Sequence, residues 1–409
     1  MRHDEQVRLI KELLARLDSG TNVDAGGLRR NPVEVYTDPD LAAREWTEFF
    51  ATRPQLVGLS GDLPEPGSFL TTGDMGVPVI ATRSSDGTFR AYLNSCRHRG
   101  AVLVEEERGR SRRFVCPFHA WTYDTDGALV GLPKKDHFGE VDIECLSLVE
   151  LPALEWNGLL YVHPQPDGVI DPTAMFPDDL AAELAEWNNG ELTYLDRDSY
   201  DVACNWKLAM DTFGETYHFA ALHKDTLFHS FHANVQCYDT FGIHHRMILT
   251  RRAIDGMRHL PEAEWRITTA GLPVYWLFPN AQLMPNDRGA YLVRAFPDPE
   301  NPGRHVSRIT FYVRPGVTAE DYLDDGGTRV RAGLGDEELE LQRLVAAGFA
   351  DVIRDEDYWM SASQQRTAES GLIEHSVFGR NEPALHHYHS TYRSLLGLDP
   401  LPLLSDAEV

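Results

Sequence analysis

The sequence predicts an α+β protein in two main parts, a small antiparallel β domain followed by a larger domain of antiparallel strands and helices. From about 54 to 166, short alternating apolar runs are punctuated by Gly, Pro and two Asp-Gly pairs, Asp86-Gly87 and Asp126-Gly127, which read as hairpin turns. Pro164-Gln165-Pro166-Asp167-Gly168, with Pro172 and Pro177 behind it, reads as an exit linker. Beyond the linker, strand patterns come first and long helical patterns last, the order of an α+β domain with an antiparallel sheet. At 409 residues the chain is long enough for two or more such domains. The expected division is 1–53, a helical segment packing on the larger domain; 54–166, the β domain; and 167–409, the larger domain.

Taken in order, Val7, Ile10, Leu13, Leu14 and Leu17 recur at helical spacing and predict an amphipathic opening helix over 5–17. An aromatic-bearing helical segment covers about 39–51. After the linker, helices are expected near 178–187 and 205–222, then strands around 235–252, 274–284, 289–296 and 306–313. A long charged helix at about 335–367 and a closing helix near 383–396 finish the chain. The run Tyr275-Trp276-Leu277-Phe278 fits sheet core.

Composition narrows the classes. The chain carries 63 Asp and Glu against 38 Lys and Arg, a net charge of −25, which disfavours nucleic acid and anionic membrane as partners. No uncharged run approaches the ~18 residues of a membrane span. The N-terminus brings acids at once and lacks the apolar stretch of a signal peptide. Five Cys make no disulfide framework. These features point to a soluble, cytoplasmic protein, with Cys145, Cys204 and Cys237 as buried thiols.

Two short loops hold the first chemistry. Cys96-Arg97-His98 and Cys116-Pro117-Phe118-His119 are separated by seventeen residues, and each offers one thiolate and one imidazole. A structural zinc site of two Cys and two His usually pairs like with like in sequence. The mixed pairing instead suits a Rieske [2Fe–2S] cluster, with two Cys on one iron and two His on the other. Arg97, Arg99, Arg108, Arg110, Arg112 and Arg113 crowd this segment, offset by Glu105, Glu106 and Glu107. Such a basic rim on an acidic protein either docks an acidic electron donor or is an ordinary solvated hairpin.

The second constellation lies on the predicted helix: Asp211, Glu215, Tyr217, His218 and His223. Positions five apart stand about 140° around an ideal helix, so the helix must loosen between His218 and His223 for both to reach one metal. A distant carboxylate would complete a two-His-one-carboxylate triad of the non-haem iron(II) type. His386, His387 and His389 have no acid or Cys at suitable spacing and read as a wet helix face.

With these motifs in hand, the chain resembles the catalytic α subunit of the Rieske non-haem iron aromatic-ring-hydroxylating oxygenases. The resemblance runs from Cys-Arg-His-Arg-Gly at 96–100 and Cys-Pro-Phe-His-Ala-Trp at 116–121, through Asn205-Trp206-Lys207 and Glu215-Thr-Tyr217-His218-x4-His223, to the C-terminal helix. It implies a Rieske-type β domain followed by a helix-grip catalytic domain. It assigns Cys96 and Cys116 to one cluster iron, His98 and His119 to the other, and His218 and His223 to a mononuclear Fe(II). Matching the late helix selects Asp357 as the carboxylate ligand, with Asp355 and Glu356 as alternatives. Glu215 stands where the family has an acid linking an iron-ligating His to a cluster His of a neighbouring subunit, here His218 to His119. Many ring dihydroxylases have Asp there; Glu is shared with relatives that oxidise methylammonium compounds. Asp211 falls where some relatives have an Asn near the iron.

The resemblance further implies a homotrimer, with or without a small β subunit. It also implies O₂ and a small organic molecule as substrates, and electrons from NAD(P)H through a separate reductase or ferredoxin. The expected reaction is hydroxylation or cis-dihydroxylation of an aromatic or similar hydrophobic compound. The alternative is removal of N- or O-methyl groups as formaldehyde.

Overall fold

The opening periodicity becomes α1 (His3–Ser19) in the computed structural model, which describes residues 1–317 and 347–404. Leu9, Ile10, Leu13 and Leu14 are its buried face, each contributing roughly 1.5–3 kcal/mol relative to exposure. Gly20, at φ 65, ends it by donating to the Arg16 and Leu17 carbonyls. Next come β1 (Leu28–Pro32), α2 (Glu34–Thr37) and α3 (Pro39–Glu45), then a π-helical turn over Trp46–Ala51.

The β domain carries β2 (Gln55–Leu59), β3 (Ser68–Thr72), β4 (Val79–Arg83), β5 (Phe89–Leu93) and β6 (Arg108–Arg110). It continues with β7 (Arg113–Val115), β8 (Thr122–Asp124), β9 (Leu129–Gly131), β10 (Glu150–Leu151), β11 (Ala153–Trp156) and β12 (Leu159–Val162). They pair in three antiparallel sheets, β10-β5-β4-β3-β6, β11-β12-β2 and β7-β8-β9. Both Asp-Gly pairs are hairpin turns, with Gly87 and Gly127 at φ 85 and 79. This compact unit comprises Trp46–Met175 and Asn188–Tyr194. It starts earlier than position 54 because Trp46 stacks on Phe50 and lies against Gly76, where a Cβ would come within 2.6 Å of the indole.

The second unit comprises Met1–Glu45, Phe176–Trp187 and Leu195–Val409. After α4 (Asp178–Ala185) come β13 (Thr193–Val202) and α5 (Trp206–Asp211). The strands β14 (Phe231–Phe241), β15 (His244–Arg251), β16 (Gly271–Leu277), β17 (Ala281–Pro285), β18 (Gly289–Asp298) and β19 (Asn301–Val313) follow. With β13 they form a seven-stranded sheet in the order β13-β19-β18-β17-β16-β15-β14. Then come α6 (Trp359–Glu369), β20 (His375–Phe378), α7 (Pro383–Leu395) and β21 (Leu403–Leu404). The row His245, Trp276, Gln282, Val293 and Ile309 runs across one sheet face in register. Against it α7 packs, with Tyr388 5.1 Å from Trp276 between ring centroids. On the other face, fully buried Arg246 pairs with Glu5, Glu183 and Asp239 and ties α1 and α4 to the sheet.

Several expectations need correction. The segment 235–252 is a hairpin turned at Gly242 (φ 61), and 274–284 is two strands broken around Pro279, which has no N–H to give a ladder. The helix expected over 205–222 stops at Asp211 and resumes only as a 3₁₀ turn, Tyr217–Ala220. Of the long late helix, 335–346 lie outside the described residues; 347–369 are helical, with a π-helical turn at Ile353–Tyr358. Strands β1, β20 and β21, which form one small sheet, and β13 lack a clear alternating pattern and were not predicted. Cys145 is exposed, on a polar 3₁₀ turn, whereas Cys204 and Cys237 are buried. His386 and His389 are buried rather than wet, because α7 is enclosed on more than one side.

Candidate metal centres and active site

The two cluster loops have one shape. Cys96 N–H donates to Ala101 O at 2.8 Å, and Gly100 N–H returns to Cys96 O at 2.9 Å. Cys116 repeats this with Trp121 O at 2.8 Å and Ala120 N–H at 3.0 Å. Each loop closes on a left-handed residue, Gly100 at φ 75 and Ala120 at φ 58. Both thiols are buried in an apolar cluster with Phe114, Trp121 and Tyr123, while His119 is exposed.

Two imidazole nitrogens, His98 Nδ1 and His119 Nδ1, face each other at 3.2 Å. Ligands about 2.1 Å from one metal and at right angles to each other stand about 3 Å apart, so the spacing suits a shared iron. Burial pushes the Cys96 thiol up from its ordinary value, and the neighbouring Cys116 adds to this. A metal bound as thiolate complex relieves that cost. The residues therefore fit a [2Fe–2S] cluster. Trp121, the last residue of the second motif, and Tyr123, which the sequence did not single out, frame it. The Tyr123 hydroxyl accepts from Arg97 N–H at 3.0 Å and lies 3.6 Å from Cys96 Sγ, and Trp121 stacks on His98 at 5.0 Å. Of the six arginines, Arg108 pairs with Asp62 and lies 3.4 Å over the Tyr194 ring, and Arg110 pairs with Glu65. Arg97, Arg99, Arg112 and Arg113 stay exposed, with Arg99 over exposed Phe118.

In the second unit, the break after α5 is what brings two histidines together. Glu215 folds back so that its carboxylate accepts from the N–H groups of Tyr217 and His218, replacing helical carbonyls. Gly214 passes so close to α7 that a Cβ would lie 2.3 Å from Leu385 Cδ2. His218 Nδ1 donates to Glu215 Oε1 and His223 Nδ1 to Glu356 Oε2, both at 2.5 Å. With their Nδ1 protons so engaged, both Nε2 atoms carry lone pairs, and these face each other at 3.1 Å. Asp357 Oδ1 lies 3.4 Å from the His223 Nε2 and 3.7 Å from the His218 Nε2. Three acceptors converging on one point repel unless a cation sits between them, so this set fits a divalent metal. Among the described residues it is the only group of three or more His, Cys, Asp or Glu brought together in this way.

The structure also separates the three late acids. Asp357 joins the histidines from the π-helical turn, a feature frequent at functional sites. Glu356 instead orients His223 and accepts from Thr226 Oγ1 at 2.9 Å. Asp355 is on the surface, paired with Arg354. Asp211 is not within the triad; it accepts hydrogen bonds from Tyr36 and His389.

A cavity of about 480 Å³ opens beside His218 and Asp357. Its acids are Asp211, Glu215, Asp357 and Glu382, and among the described residues neither Lys nor Arg lines it. Leu208, Leu222, Leu385, Tyr36 and Phe378 supply apolar wall. Burial pushes the Glu382 carboxyl up to about 7, helped by the negative charges of Glu215 and Asp211.

Residues 53–150 match the family model of the Rieske [2Fe-2S] domain, and residues 190–398 that of the ring hydroxylating alpha subunit catalytic domain. The chain belongs to the Rieske non-haem iron oxygenase α subunits. The glycine betaine monooxygenase oxygenase subunit of Chromohalobacter salexigens is 30% identical over 198 residues, 48% of this chain and 43% of that protein. The naphthalene 1,2-dioxygenase large component of Pseudomonas aeruginosa is 32% identical over 206 residues, 47% and 44% of the two chains. The chain thus spans under half the length of these two relatives. Choline monooxygenase of Spinacia oleracea is 22% identical over 370 residues, 88% of this chain and 76% of that one.

Among solved structures, a quaternary ammonium Rieske monooxygenase superposes with a TM-score of 0.71 at 20% identity, covering 91% of this chain and 95% of that one. Naphthalene 1,2-dioxygenase gives 0.65 at 20% identity, covering 93% and 94%. This Rieske oxygenase chain shares their fold, and no helix among its described residues is long and apolar enough to cross a membrane.

Proposed function

We propose that this chain is the terminal component of a monooxygenase that oxidises an N-methyl group of a cationic, methylated ammonium compound. The observation that carries this reading is the cavity beside the His218–His223–Asp357 set, which among the described residues is lined by carboxylates and by no Lys or Arg. An aromatic carboxylate would be repelled there, whereas an ammonium ion is favoured by the field of the surrounding acids. The Tyr36 and Phe378 rings add faces of the kind that receive methylated cations. The longer acid at Glu215, shared with methylammonium-oxidising relatives, agrees.

In this reading His218, His223 and Asp357 hold a mononuclear Fe(II), which when bound supplies the O₂-binding and one-electron chemistry that side chains lack. Glu215 and Glu356 keep the two Nδ1 protons, fixing the tautomers so that each Nε2 lone pair points inward. Asp211 and Glu382 place the ammonium charge, and Leu208, Leu222 and Leu385 exclude water from the methyl group. Overall, one N-methyl group, O₂, two electrons and two protons give an N-hydroxymethyl group and water. The C–N bond then breaks, releasing formaldehyde, a proton and the demethylated amine. The electrons come from NAD(P)H through a reductase or ferredoxin docked near Arg97 and Arg99. Glu215 carries the link to His119 of a neighbouring subunit in a homotrimer.

The test is a single turnover of dithionite-reduced, iron-loaded protein with O₂, offered methylated ammonium compounds on one side and aromatic acids and hydrocarbons on the other. Formaldehyde equal to cluster oxidised, with the methylated compounds alone, is expected. Hydroxylated ring product without formaldehyde would replace this reading with ring oxygenation.

A further inference from the structure

A buried hydrogen-bond network reaches the triad from elements far away in the chain, and Tyr36 on α2 is its centre. The Tyr36 hydroxyl donates to Asp211 Oδ2 at 2.7 Å and accepts from Asn31 Nδ2 at 2.7 Å. Its carbonyl accepts from Gln365 Nε2 at 3.2 Å and from Asn205 Nδ2 at 3.4 Å. Gln365 Oε1 accepts in turn from Asn205 N–H at 3.0 Å. From α7, His389 Nε2 donates to Asp211 Oδ1 at 2.8 Å. Tyr36 is 3% exposed, and Asn31, Asn205, Gln365 and His389 are still less so.

Apart from the bond to Asn31, these bonds land on the helices next in the chain to the turns that bear triad residues. Asn205 caps the start of α5 and Asp211 is its last residue, just before the turn that aims His218. Gln365 lies on α6, directly after the π-helical turn that carries Asp357. α5 has only six residues, too few to hold its own geometry, and the stretch that follows is not helical. Glu215 holds the His218 ring within its own turn, so what must be set from outside is the place of that turn relative to Asp357.

We propose that Tyr36 and His389 are positioning residues for the mononuclear iron, fixing the His218–His223 segment relative to Asp357 through Asp211 and Gln365. Three mutually repelling donor atoms need such bracing, since a metal site loses affinity when its ligands drift by about 0.5 Å. Neither residue touches the triad, and neither carries the sequence signal of a ligand.

The experiment uses cluster-loaded protein stripped of mononuclear iron by a chelator and titrated anaerobically with Fe(II). The readouts are the dissociation constant and the electron paramagnetic resonance signal of the Fe(II)–nitric oxide adduct. Tyr36→Phe and His389→Phe are each expected to weaken iron binding about tenfold, the low end for losing an outer partner, and to change the adduct's rhombicity. His389→Gln keeps a donor at the same reach and should restore most of the affinity. The double variant should fall short of the product of the two singles, because both act on Asp211. Tyr388→Phe is the control, since it loses a buried hydroxyl on the same helix, bonded to Pro279 O at 3.0 Å, without touching Asp211. Wild-type iron affinity in Tyr36→Phe and His389→Phe, or a loss no greater than in Tyr388→Phe, would overturn the proposal. Because no substrate is used, the outcome is separate from that of the demethylation test.

Discussion

His98 and His119 are 21 positions apart and hang from two loops of the same hydrogen-bonded shape, whereas His223 and its orienting partner Glu356 are 133 positions apart on unlike elements. The cluster loops carry their own scaffolding, with each Cys bonded to a carbonyl five residues on and closed by a left-handed residue. The candidate iron triad has one local partner, Glu215 beside His218, and otherwise draws on distant elements: a π-helical turn bearing Asp357, Glu356 on His223, and hydrogen bonds to Asp211 from α2 and α7. The contrast teaches that a local motif resists distant changes, while an assembled one is sensitive to them.

The largest expected effect separates the two centres outright. His218→Ala or His223→Ala should lower turnover by more than about a hundredfold, the scale of losing a metal ligand or worse, while the visible absorption of the cluster stays unchanged. Cys116→Ser should do the reverse to the spectrum. Bleaching of the cluster in His223→Ala would show that the centres are not independently built.

Metal removal gives the next contrast. Brief anaerobic chelation should take the mononuclear iron and leave the cluster, because the triad opens onto a cavity whereas Cys96 and Cys116 are each 3% exposed. Metal analysis together with the absorption spectrum reads both at once, and simultaneous loss would break the comparison.

Glu356→Gln should weaken Fe(II) binding by about 10–100-fold, since the amide no longer fixes the His223 tautomer as a carboxylate does. Calorimetric titration checks it, and an unchanged affinity would remove Glu356 from the site.

The smallest effect compares the two cluster loops with each other. A Cβ at Gly100 would meet nothing closer than Ser95 Oγ at 3.8 Å, so Gly100→Ala should cost only the left-handed penalty, about 1 kcal/mol. Ala120 already bears that penalty, and Ala120→Gly should be neutral or stabilising by up to about 1 kcal/mol. Thermal bleaching of the cluster reads both, and equal destabilisation by the two variants would show that the loops are not equivalent.

Much of this was legible because it is local. The 3.6-residue period gave α1, the Asp-Gly pairs gave two hairpins, and the mixed Cys/His loops gave the candidate cluster donors, whose His98 and His119 rings the structure brings together. Less was legible where long-range packing overrides local preference. The pattern at 205–222 reads as one helix, yet Glu215 caps the backbone internally and Gly214 is pressed on Leu385, so the helix breaks. His386 and His389 look polar and exposed in sequence, yet α7 is buried and His389 is tied to Asp211.

The sequence alone pointed to the α+β organisation and singled out the two Cys/His loops and the His218/His223 pair as candidate ligands, because each is a pattern over a few residues. The resemblance favoured Asp357 over Asp355 and Glu356, but only the tertiary structure set it beside the histidines, turned Glu356 to the far side of His223, and joined Tyr36 and His389 to Asp211. Adjacent positions on a helix point about 100° apart. Which of them faces the metal depends on a π-helical turn and on contacts with elements hundreds of residues away in the chain, and neither leaves a local pattern to read.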